Sequence, residues 1–337
     1  MRGLKCLCLI WLMVLAAGCA QSWTPIADEN RPAERIDQRL IMPDGARLPL
    51  RLTLPDHPPK AVLVALHGFN DYSNAWMEQA KIWATQGIAT YAIDQRGFGE
   101  TENRGEWAGA LRMAADVRAI VRMAAADHPN VPVFLLGESM GGAISIVATG
   151  SLWRDAEPLP LAGVILSAPA VRARRTMNFI YRATLWLGNS LLPGVTVHPP
   201  RGISIKPSDN LPMLRALGSD PLVIKGAKIG VLSGLVDLMD LAMEESAHFK
   251  EPTLFLYGAN DMLITKEPTC VMLARLPAGA RAQVKVIFYP SGWHMLTRDL
   301  QARLVIEDIA AWVLAPDPAA RSGLSADDAA IKAFCDD

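Results

Sequence analysis

The chain contains 337 residues, of which 51% are hydrophobic and 20% are charged. Disordered chains are rich in charge and poor in core-forming residues, so this composition indicates a globular protein. The 33 basic and 34 acidic residues nearly balance, which gives no electrostatic support for a nucleic-acid partner. The length suits one large α/β domain with an insertion, or two small domains.

Residues 1–18 have the pattern of a secretory signal peptide. Arg2 and Lys5 form a short positive region, and an apolar stretch that ends in small residues follows them. This stretch is shorter than the roughly 20 apolar residues that span a bilayer as a helix. We therefore expect the segment to direct secretion and to be removed.

Cys19 follows a small residue, and its surroundings resemble the acylation site of bacterial lipoproteins. The resemblance implies that Cys19 carries a lipid and that the protein contacts a membrane through this N-terminal anchor. Ala20 stands where lipoproteins retained in the inner membrane carry Asp. The implied location is therefore the bacterial cell envelope, on the outer membrane facing the periplasm. The alternative is cleavage after Ala20, which would give a soluble secreted protein.

Residues 19–35 are polar and contain Pro, and we interpret them as a tether between the anchor and the folded body. Two short extended runs, 40–43 and 48–54, flank Asp44-Gly45. A dipeptide of this kind between two extended runs is a strong signal for a β-hairpin. The folded core is therefore expected to begin at about residue 36, with an antiparallel hairpin.

The body of the chain alternates short apolar runs with segments of helical length. Six runs are apolar at nearly every position and span 61–66, 88–93, 131–136, 161–166, 253–257 and 284–288. Strands of a parallel sheet covered by helices have this pattern, because both of their faces are buried. Helices are predicted at 73–86, 107–126, 140–150 and 299–313. The alternation predicts an α/β fold with a mostly parallel central sheet and helices on both faces.

Residues 172–250 interrupt this alternation and divide the core into 36–171 and 251–314. The segment contains helical apolar patterns at 179–192 and 235–243. A structureless loop of this length is improbable in a compact domain, so we predict an inserted helical subdomain. Residues 315–337 are predicted as a C-terminal tail, with one possible short helix after residue 325.

Two cysteines of the body, Cys270 and Cys335, remain if Cys19 is acylated. An oxidising envelope would permit a bridge between them, and two separate thiols fit the sequence equally well. The chain has no pair of cysteines at the spacing typical of a zinc site. The sequence thus leaves the pairing open and gives no support for a metal centre.

The sharpest chemical signal is Gly137-Glu138-Ser139-Met140-Gly141, between a predicted strand and a predicted helix. A serine at this position sits on a tight turn, which needs glycine on both sides because side chains there would collide with backbone. The turn exposes the hydroxyl above the sheet, and the helix that begins there stabilises negative charge. This arrangement resembles the nucleophile elbow of α/β-hydrolases.

A serine hydroxyl becomes a good nucleophile only when a base takes its proton. In α/β-hydrolases the chain order is Ser, acid, His, which favours His294 in the loop after the last predicted strand. Asp261 follows the strand 253–257 and is the candidate acid that would orient the imidazole. Asp237 and Asp240 compete by order, but they lie in an amphipathic helical pattern and are interpreted as solvent-facing.

A tetrahedral intermediate also needs donors for its oxyanion. The backbone N–H of Met140, directly after the nucleophile, is the first candidate. The second is the N–H of Phe69, in the loop after the strand 61–66. His67 in the same loop is interpreted as structural and not as a base.

Several motifs occur together in the order and spacing of α/β-hydrolases: His67-Gly68-Phe69, Asp94-Gln95-Arg96-Gly97-Phe98-Gly99, Gly137 to Gly142, Gly258-Ala259-Asn260-Asp261 and Trp293-His294. The chain most resembles the monoacylglycerol lipases and lysophospholipase-like serine hydrolases over residues 36–314. The resemblance implies that 172–250 is a cap whose apolar helices shape an acyl-chain pocket; the alternative is that they only pack on the body.

The function expected from these residues is cleavage of carboxylic esters, with a mono-acyl lipid as the favoured substrate. The reaction would need no metal and no organic cofactor. A small-ester esterase, a thioesterase or a peptidase would share this fold and triad. A non-catalytic envelope lipoprotein would share the fold without the reaction.

Overall fold

The structure is a computed structural model that describes residues 31–153, 156–198, 205–315 and 320–336. The predicted signal peptide and Cys19 lie outside these residues. Within the described ranges, no helix is both long enough and apolar enough to cross a membrane.

The described residues form twelve strands and ten α-helices. The strands are β1 (Glu34–Ile36), β2 (Arg39–Ile41), β3 (Arg47–Thr53), β4 (Ala61–Leu66), β5 (Ile88–Ile93), β6 (Val133–Glu138), β7 (Gly163–Ser167), β8 (Thr196–Val197), β9 (Ala227–Lys228), β10 (Thr253–Gly258), β11 (Val284–Tyr289) and β12 (Ser325–Ala326). The helices are α1 (Met77–Ala84), α2 (Ala110–Asp127), α3 (Met140–Thr149), α4 (Phe179–Leu191), α5 (Leu211–Ser219), α6 (Ile229–Glu245), α7 (Lys266–Arg275), α8 (Ala278–Arg281), α9 (Ala302–Leu314) and α10 (Asp328–Asp336).

Ten of these strands form one sheet in the order β1-β2-β3-β5-β4-β6-β7-β10-β11-β12. The six strands from β5 to β11 in this order are parallel, and the strands at both edges are antiparallel. The predicted α/β fold with a mostly parallel sheet is confirmed. The hairpin predicted around residues 44–45 is present as β2 and β3.

The apolar runs face two separate cores, which explains why they show no alternation of polarity. Along β4, Val62, Val64 and Leu66 pack into the core that contains α2, α3 and α6. The alternate residues Ala61, Leu63 and Ala65 pack into the second core, against α1 and α9. Both faces of the sheet are therefore covered by helices, as the sequence predicts.

The inserted segment contributes two kinds of helix. Helix α6 packs on α3 of the body and buries residues such as Val236 and Met239. Helix α4 packs on α6, but none of its residues is buried. Strand β8, which follows α4 in the chain, and strand β9, which precedes α6, form a small antiparallel pair. The insertion is thus helical, with α6 against the body and α4 as an outer layer.

Asp237 and Asp240 are partly exposed on α6, as their amphipathic pattern predicts, but they are also ion-paired. Both carboxylates bind Arg174, and Asp240 also accepts a hydrogen bond from the backbone N–H of that residue. The two aspartates lie one helical turn apart, so they meet on one face of α6. A pairing of this kind depends on where a distant arginine is placed and leaves no local pattern.

The ends of the folded body differ from the predicted boundaries. Strand β1 begins at Glu34, within the segment predicted as a tether. The segment predicted as a C-terminal tail adds β12 to the sheet edge, and the helix expected after residue 325 is present as α10. A disulfide between Cys270 and Cys335 joins α7 to α10. The C-terminal residues are therefore part of the folded body.

Candidate active site

The sheet topology brings the predicted site residues to one edge. Phe69, Ser139, Asp261 and His294 follow β4, β6, β10 and β11 respectively. These four strands are parallel, so their carboxyl ends lie on the same side of the sheet. Ligands of open α/β sheets bind outside this edge.

Ser139 lies on a strained turn between β6 and α3. Its φ of +53° is in the left-handed region, which non-glycine residues rarely adopt. A Cβ atom at Gly137 would collide with the backbone of Gly141, and a Cβ at Gly141 would lie 2.5 Å from the carbonyl oxygen of Leu66. The backbone N–H of Ser139 donates to the carbonyl of Ser167 at 3.0 Å, which holds the serine on the turn. The turn is thus as tight as the glycine pattern predicts.

His294 and Asp261 form a direct pair. The Nδ1 atom of His294 lies 2.7 Å from Oδ2 of Asp261, and both side chains are buried. Oδ1 of Asp261 accepts hydrogen bonds from the backbone N–H groups of Leu263 and Ile264 at 2.8 and 3.0 Å. A carboxylate can only accept, so Nδ1 carries the proton and Nε2 keeps its lone pair. This is the tautomer that a general base requires.

The loops that carry this pair pack backbone to backbone. A Cβ atom at Gly258 would collide with the carbonyl of Trp293, and the N–H of Asn260 donates to Gly292 at 2.9 Å. Strands β10 and β11 end in register, with Gly258 opposite Tyr289. The acid and the base are therefore held by two adjacent strand ends.

The surroundings of His294 set its protonation. Burial lowers the pKa of the imidazole, but the charge and hydrogen bond of Asp261, together with the charge of Glu138, raise it more. The nearby charge of Arg298 partly offsets this rise. The net pKa is above the ordinary value, so the site favours the imidazolium that forms when the base accepts a proton.

The loop after β4 lies directly on the nucleophile turn. A Cβ atom at Gly68 would be 3.4 Å from Cβ of Ser139, which places the neighbouring Phe69 beside it. Met140 is the first residue of α3, and N–H groups of a first helical turn have no partner within the helix. The two amides predicted as oxyanion donors thus lie on segments that flank Ser139.

His67 has the structural role that its sequence context suggests. The ring is fully buried, its Nδ1 donates to the carbonyl of Gly68 at 2.8 Å, and its Nε2 accepts from the N–H of Gln95 at 3.1 Å. Burial lowers the pKa of this imidazole. With both nitrogens occupied, His67 fixes the loop and leaves no nitrogen for proton transfer.

A buried ion cluster that the sequence did not predict lies beside the site. Arg298 binds Oδ2 of Asp71 and Oε1 of Glu138, each at 2.7 Å. Its partners are 227 and 160 residues away in the chain, so no spacing rule could have connected them. The one local signal is position, because Arg298 follows His294 closely and Glu138 directly precedes Ser139.

The inserted segment touches the loop that carries His294 through one backbone carbonyl and one side chain. The N–H of Met295 donates to the carbonyl of Pro207, and the side-chain amide of Asn210 donates to the carbonyl of Arg298, both at 2.9 Å. No pattern in the sequence predicts these contacts. They show that the insertion is attached to the loop that presents His294.

The outer face of α4 is apolar and exposed. Six large hydrophobic side chains of the helix are between 51% and 76% exposed: Phe179, Ile180, Tyr181, Trp186, Leu187 and Leu191. Monomeric proteins rarely leave a contiguous apolar surface of this kind in water, and such surfaces mark sites of interaction. Helix α4 thus contacts the core through partly buried residues such as Leu185 and offers an apolar surface on its other side.

A mainly parallel sheet, a serine on a strained strand–helix turn and an Asp–His pair after later strands together define an α/β-hydrolase. The family model described as "Serine aminopeptidase, S33" matches residues 57–301, and the chain belongs to this family. The resemblance to monoacylglycerol lipases predicted from the sequence is confirmed by the relatives described next.

Two relatives align along most of their length. The monoacylglycerol lipase of Mycolicibacterium smegmatis is 27% identical over 272 residues, which cover 80% of this chain and 94% of the relative. The monoglyceride lipase of Mus musculus is 29% identical over 287 residues, covering 81% and 89%. The crystal structure of Paleococcus ferrophilus monoacylglycerol lipase matches with a TM-score of 0.66 at 20% identity, covering 79% of this chain and 98% of that one. The structural likeness concerns the fold.

Proposed function

We propose that the protein is a serine hydrolase that cleaves carboxylic esters of mono-acyl lipids, either monoacylglycerols or lysophospholipids. The observation that carries the proposal is the buried His294–Asp261 pair, in the tautomer of a general base, at the sheet edge that also holds Ser139. The names of the relatives, which are lipases of monoacylglycerols, support the choice of substrate.

In the proposed mechanism, Nε2 of His294 takes the proton of Ser139 as its hydroxyl attacks the ester carbonyl. Asp261 stabilises the imidazolium without taking its proton. The N–H groups of Phe69 and Met140 hold the oxyanion of the tetrahedral intermediate. The alcohol leaves with the proton from His294, and water then cleaves the acyl-enzyme by the same steps.

The cap supports a lipid substrate. The exposed apolar face of α4 has aromatic residues among its aliphatic ones, which is typical of helices that lie in a membrane interface. Residues 158–208 contain no Asp or Glu. Arg182 lies on α4 and Arg175 lies shortly before it, and both are exposed. This charge distribution is complementary to an anionic lipid surface. An enzyme in contact with such a surface would meet mono-acyl lipids there.

Membrane anchoring through an acylated Cys19, in the outer membrane and facing the periplasm, is part of the same proposal. A lipid chain and a second membrane contact together give stable binding, whereas one acyl chain alone binds reversibly. Cys19→Ala should release the protein from the membrane fraction or leave it unprocessed. A normally processed Cys19→Ala protein that stays in the membrane fraction would argue against the anchor.

An aminopeptidase is the second candidate, because the matching family model carries that description. An aminopeptidase must bind the ammonium group of its substrate, for which a free carboxylate near the nucleophile is suited. Glu138 and Asp71, which lie beside the nucleophile turn, are already paired with Arg298. This pairing favours an ester over a peptide substrate.

The test is fatty-acid release from a monoacylglycerol and a lysophospholipid, beside a short-chain ester and an aminoacyl amide, with Ser139→Ala as the blank. Release from either lipid that is lost in Ser139→Ala would support the proposal. Turnover of the short ester alone would reject the lipid substrate, and turnover of the amide alone would favour the peptidase. A protein silent on all four and unlabelled by a fluorophosphonate would be a non-catalytic member of the fold.

A further inference from the structure

Arg298 joins three segments of the site through two buried carboxylates. Its Nη1 binds Oδ2 of Asp71 and its Nη2 binds Oε1 of Glu138, each at 2.7 Å. The side chains of Arg298, Asp71 and Glu138 are only 8%, 6% and 2% exposed. The proposed mechanism assigns no role to any of the three.

Each member of this cluster belongs to a different segment of the site, and Glu138 is the last residue of β6. Glu138 directly precedes Ser139, Asp71 follows Phe69 at a distance of two residues, and Arg298 follows His294 at a distance of four. We propose that Arg298 is a positioning residue. It fixes the nucleophile turn, the loop after β4 that carries Phe69, and the loop after β11 that carries His294 relative to one another. The inference rests on the proposed function, since it concerns the same site.

The geometry suits arginine and no other cation. The guanidinium is a planar fork with several donors in fixed directions, so one side chain can hold two carboxylates at a set separation. The ammonium of lysine is a point charge on a flexible stem and does not define that separation. The carbonyl of Arg298 also accepts a hydrogen bond from Asn210, which holds the backbone of the arginine in place.

The two buried carboxylates of the cluster need the guanidinium as their partner. Burial lowers the pKa of Arg298, but the charges and hydrogen bonds of Asp71 and Glu138 raise it more, so the guanidinium stays charged. Removal of the arginine would leave two carboxylates buried without their partner, which is costly in a low-dielectric interior. Removal of Arg298 should therefore both loosen the relative positions of the three segments and change the charge near His294.

The charges around His294 make these two effects separable. The groups that act on its pKa are Asp261 and Glu138, which raise it, and Arg298, which lowers it. Asp299, on the same loop, has its pKa raised to about 6 mainly by burial and also faces Glu138. Loss of the Arg298 charge should therefore raise the pKa of His294, and loss of the Glu138 charge should lower it.

The imidazole of His67 also faces the cluster. The charges of Asp71, Asp94 and Glu138 raise its pKa, but burial lowers this pKa more. Its nitrogens are both occupied by backbone groups, so it does not titrate in the proton transfer. The acid limb of the pH–rate profile, where the rate falls as the pH is lowered, therefore reports on the protonation of His294.

The experiment compares Arg298→Met, Arg298→Lys and Glu138→Gln with the wild type. The readout is the rate at which a fluorophosphonate labels Ser139 as a function of pH, which needs His294 as a base and is independent of the ester chosen. In Arg298→Met the acid limb should move up by about one pH unit, and the plateau rate should fall by about 10- to 100-fold. In Glu138→Gln the acid limb should move down.

Arg298→Lys separates position from charge. It keeps the positive charge, so its acid limb should stay near that of the wild type, while its plateau rate should fall because one ammonium cannot fix both carboxylates. If Arg298→Met does not fold, Arg298→Lys and Glu138→Gln still test the positioning role of Arg298. A wild-type plateau in Arg298→Lys, or an acid limb that does not move down in Glu138→Gln, would overturn the proposal.

Arg96→Met is the matched control. Arg96 also binds two carboxylates, Asp116 and Asp44, but it is not among the groups that act on the pKa of His294. This variant should lose stability and leave the acid limb in place; an equal shift of the limb would refute the role of Arg298. A wild type that is not labelled at any pH would refute the proposed function itself, whereas normal labelling with unshifted variants would refute only the positioning role.

Discussion

Asp261→Asn should inactivate the enzyme through the tautomer of His294. Oδ1 of Asp261 accepts hydrogen bonds from two backbone N–H groups, those of Leu263 and Ile264. An asparagine must place its carbonyl oxygen there, because its NH₂ group would otherwise face two donors. The NH₂ group then points at Nδ1 of His294, which becomes the acceptor. The proton moves to Nε2, and the imidazole can no longer take the proton of Ser139.

The expected loss follows from this inversion. Holding a catalytic histidine in the wrong tautomer lowers kcat by about 10⁴-fold. At roughly 1.36 kcal/mol for each factor of ten, this corresponds to about 5.4 kcal/mol of transition-state stabilisation. The fold should survive, because asparagine has nearly the same shape and keeps the hydrogen bonds to Leu263 and Ile264.

The assay is the kcat of Asp261→Asn on a chromogenic ester, with the thermal midpoint as a check on folding. Asp308→Asn is a matched control, since Asp308 is a buried carboxylate that accepts from Tyr289 and from the N–H of Ser322. This control should keep its kcat. An Asp261→Asn protein that retains more than about a tenth of the wild-type kcat would refute the assignment of Asp261, since a tautomer inversion costs far more.

Three further predictions concern pH, the disulfide and the nucleophile turn. Because catalysis needs neutral His294 and the pKa of this residue is raised, the acid limb of kcat/KM should have its midpoint above about pH 6.5. A pH–rate profile with a lower midpoint would show that Asp261 does not raise the pKa of His294 as described. Replacing Cys270 and Cys335 by Ser opens a loop with a sequence separation of 65 and should cost about 4 kcal/mol in the free energy of unfolding, measured by denaturant titration; unchanged stability would show that the bridge does not constrain the chain. Gly141→Ala places a Cβ 2.5 Å from the Leu66 carbonyl and should lower both the thermal midpoint and kcat, at a cost of about 1–3 kcal/mol; a variant with wild-type values would show that the turn is looser than described.

The elements of the sheet were predictable because their signal is local. Each central strand is apolar at nearly every position, since the two cores on either side of the sheet take alternate residues. Ser139 was predictable for a similar reason: a strained turn requires glycines at fixed neighbouring positions, which short-range sequence records. The candidate base and acid could be proposed by chain order, because each follows a strand end.

Other features depend on residues that are far apart in the chain and leave no pattern. The ion cluster of Arg298 joins residues 160 and 227 positions away, and Asp237 and Asp240 on α6 meet Arg174 from another segment of the insertion. A charged residue in a sequence is usually exposed, so each of these was expected to face solvent or was not noticed. Only the folded chain shows that their charges are paired.

The sequence by itself therefore determined the fold class, the nucleophile turn and the loops that carry the candidate base and acid. These follow from steric and hydrophobic requirements that act between neighbouring residues. The tertiary structure decided the partner of His294, the disulfide between Cys270 and Cys335, and the exposed face of α4. These depend on distances across the fold, because electrostatic pairing and burial are properties of the assembled chain.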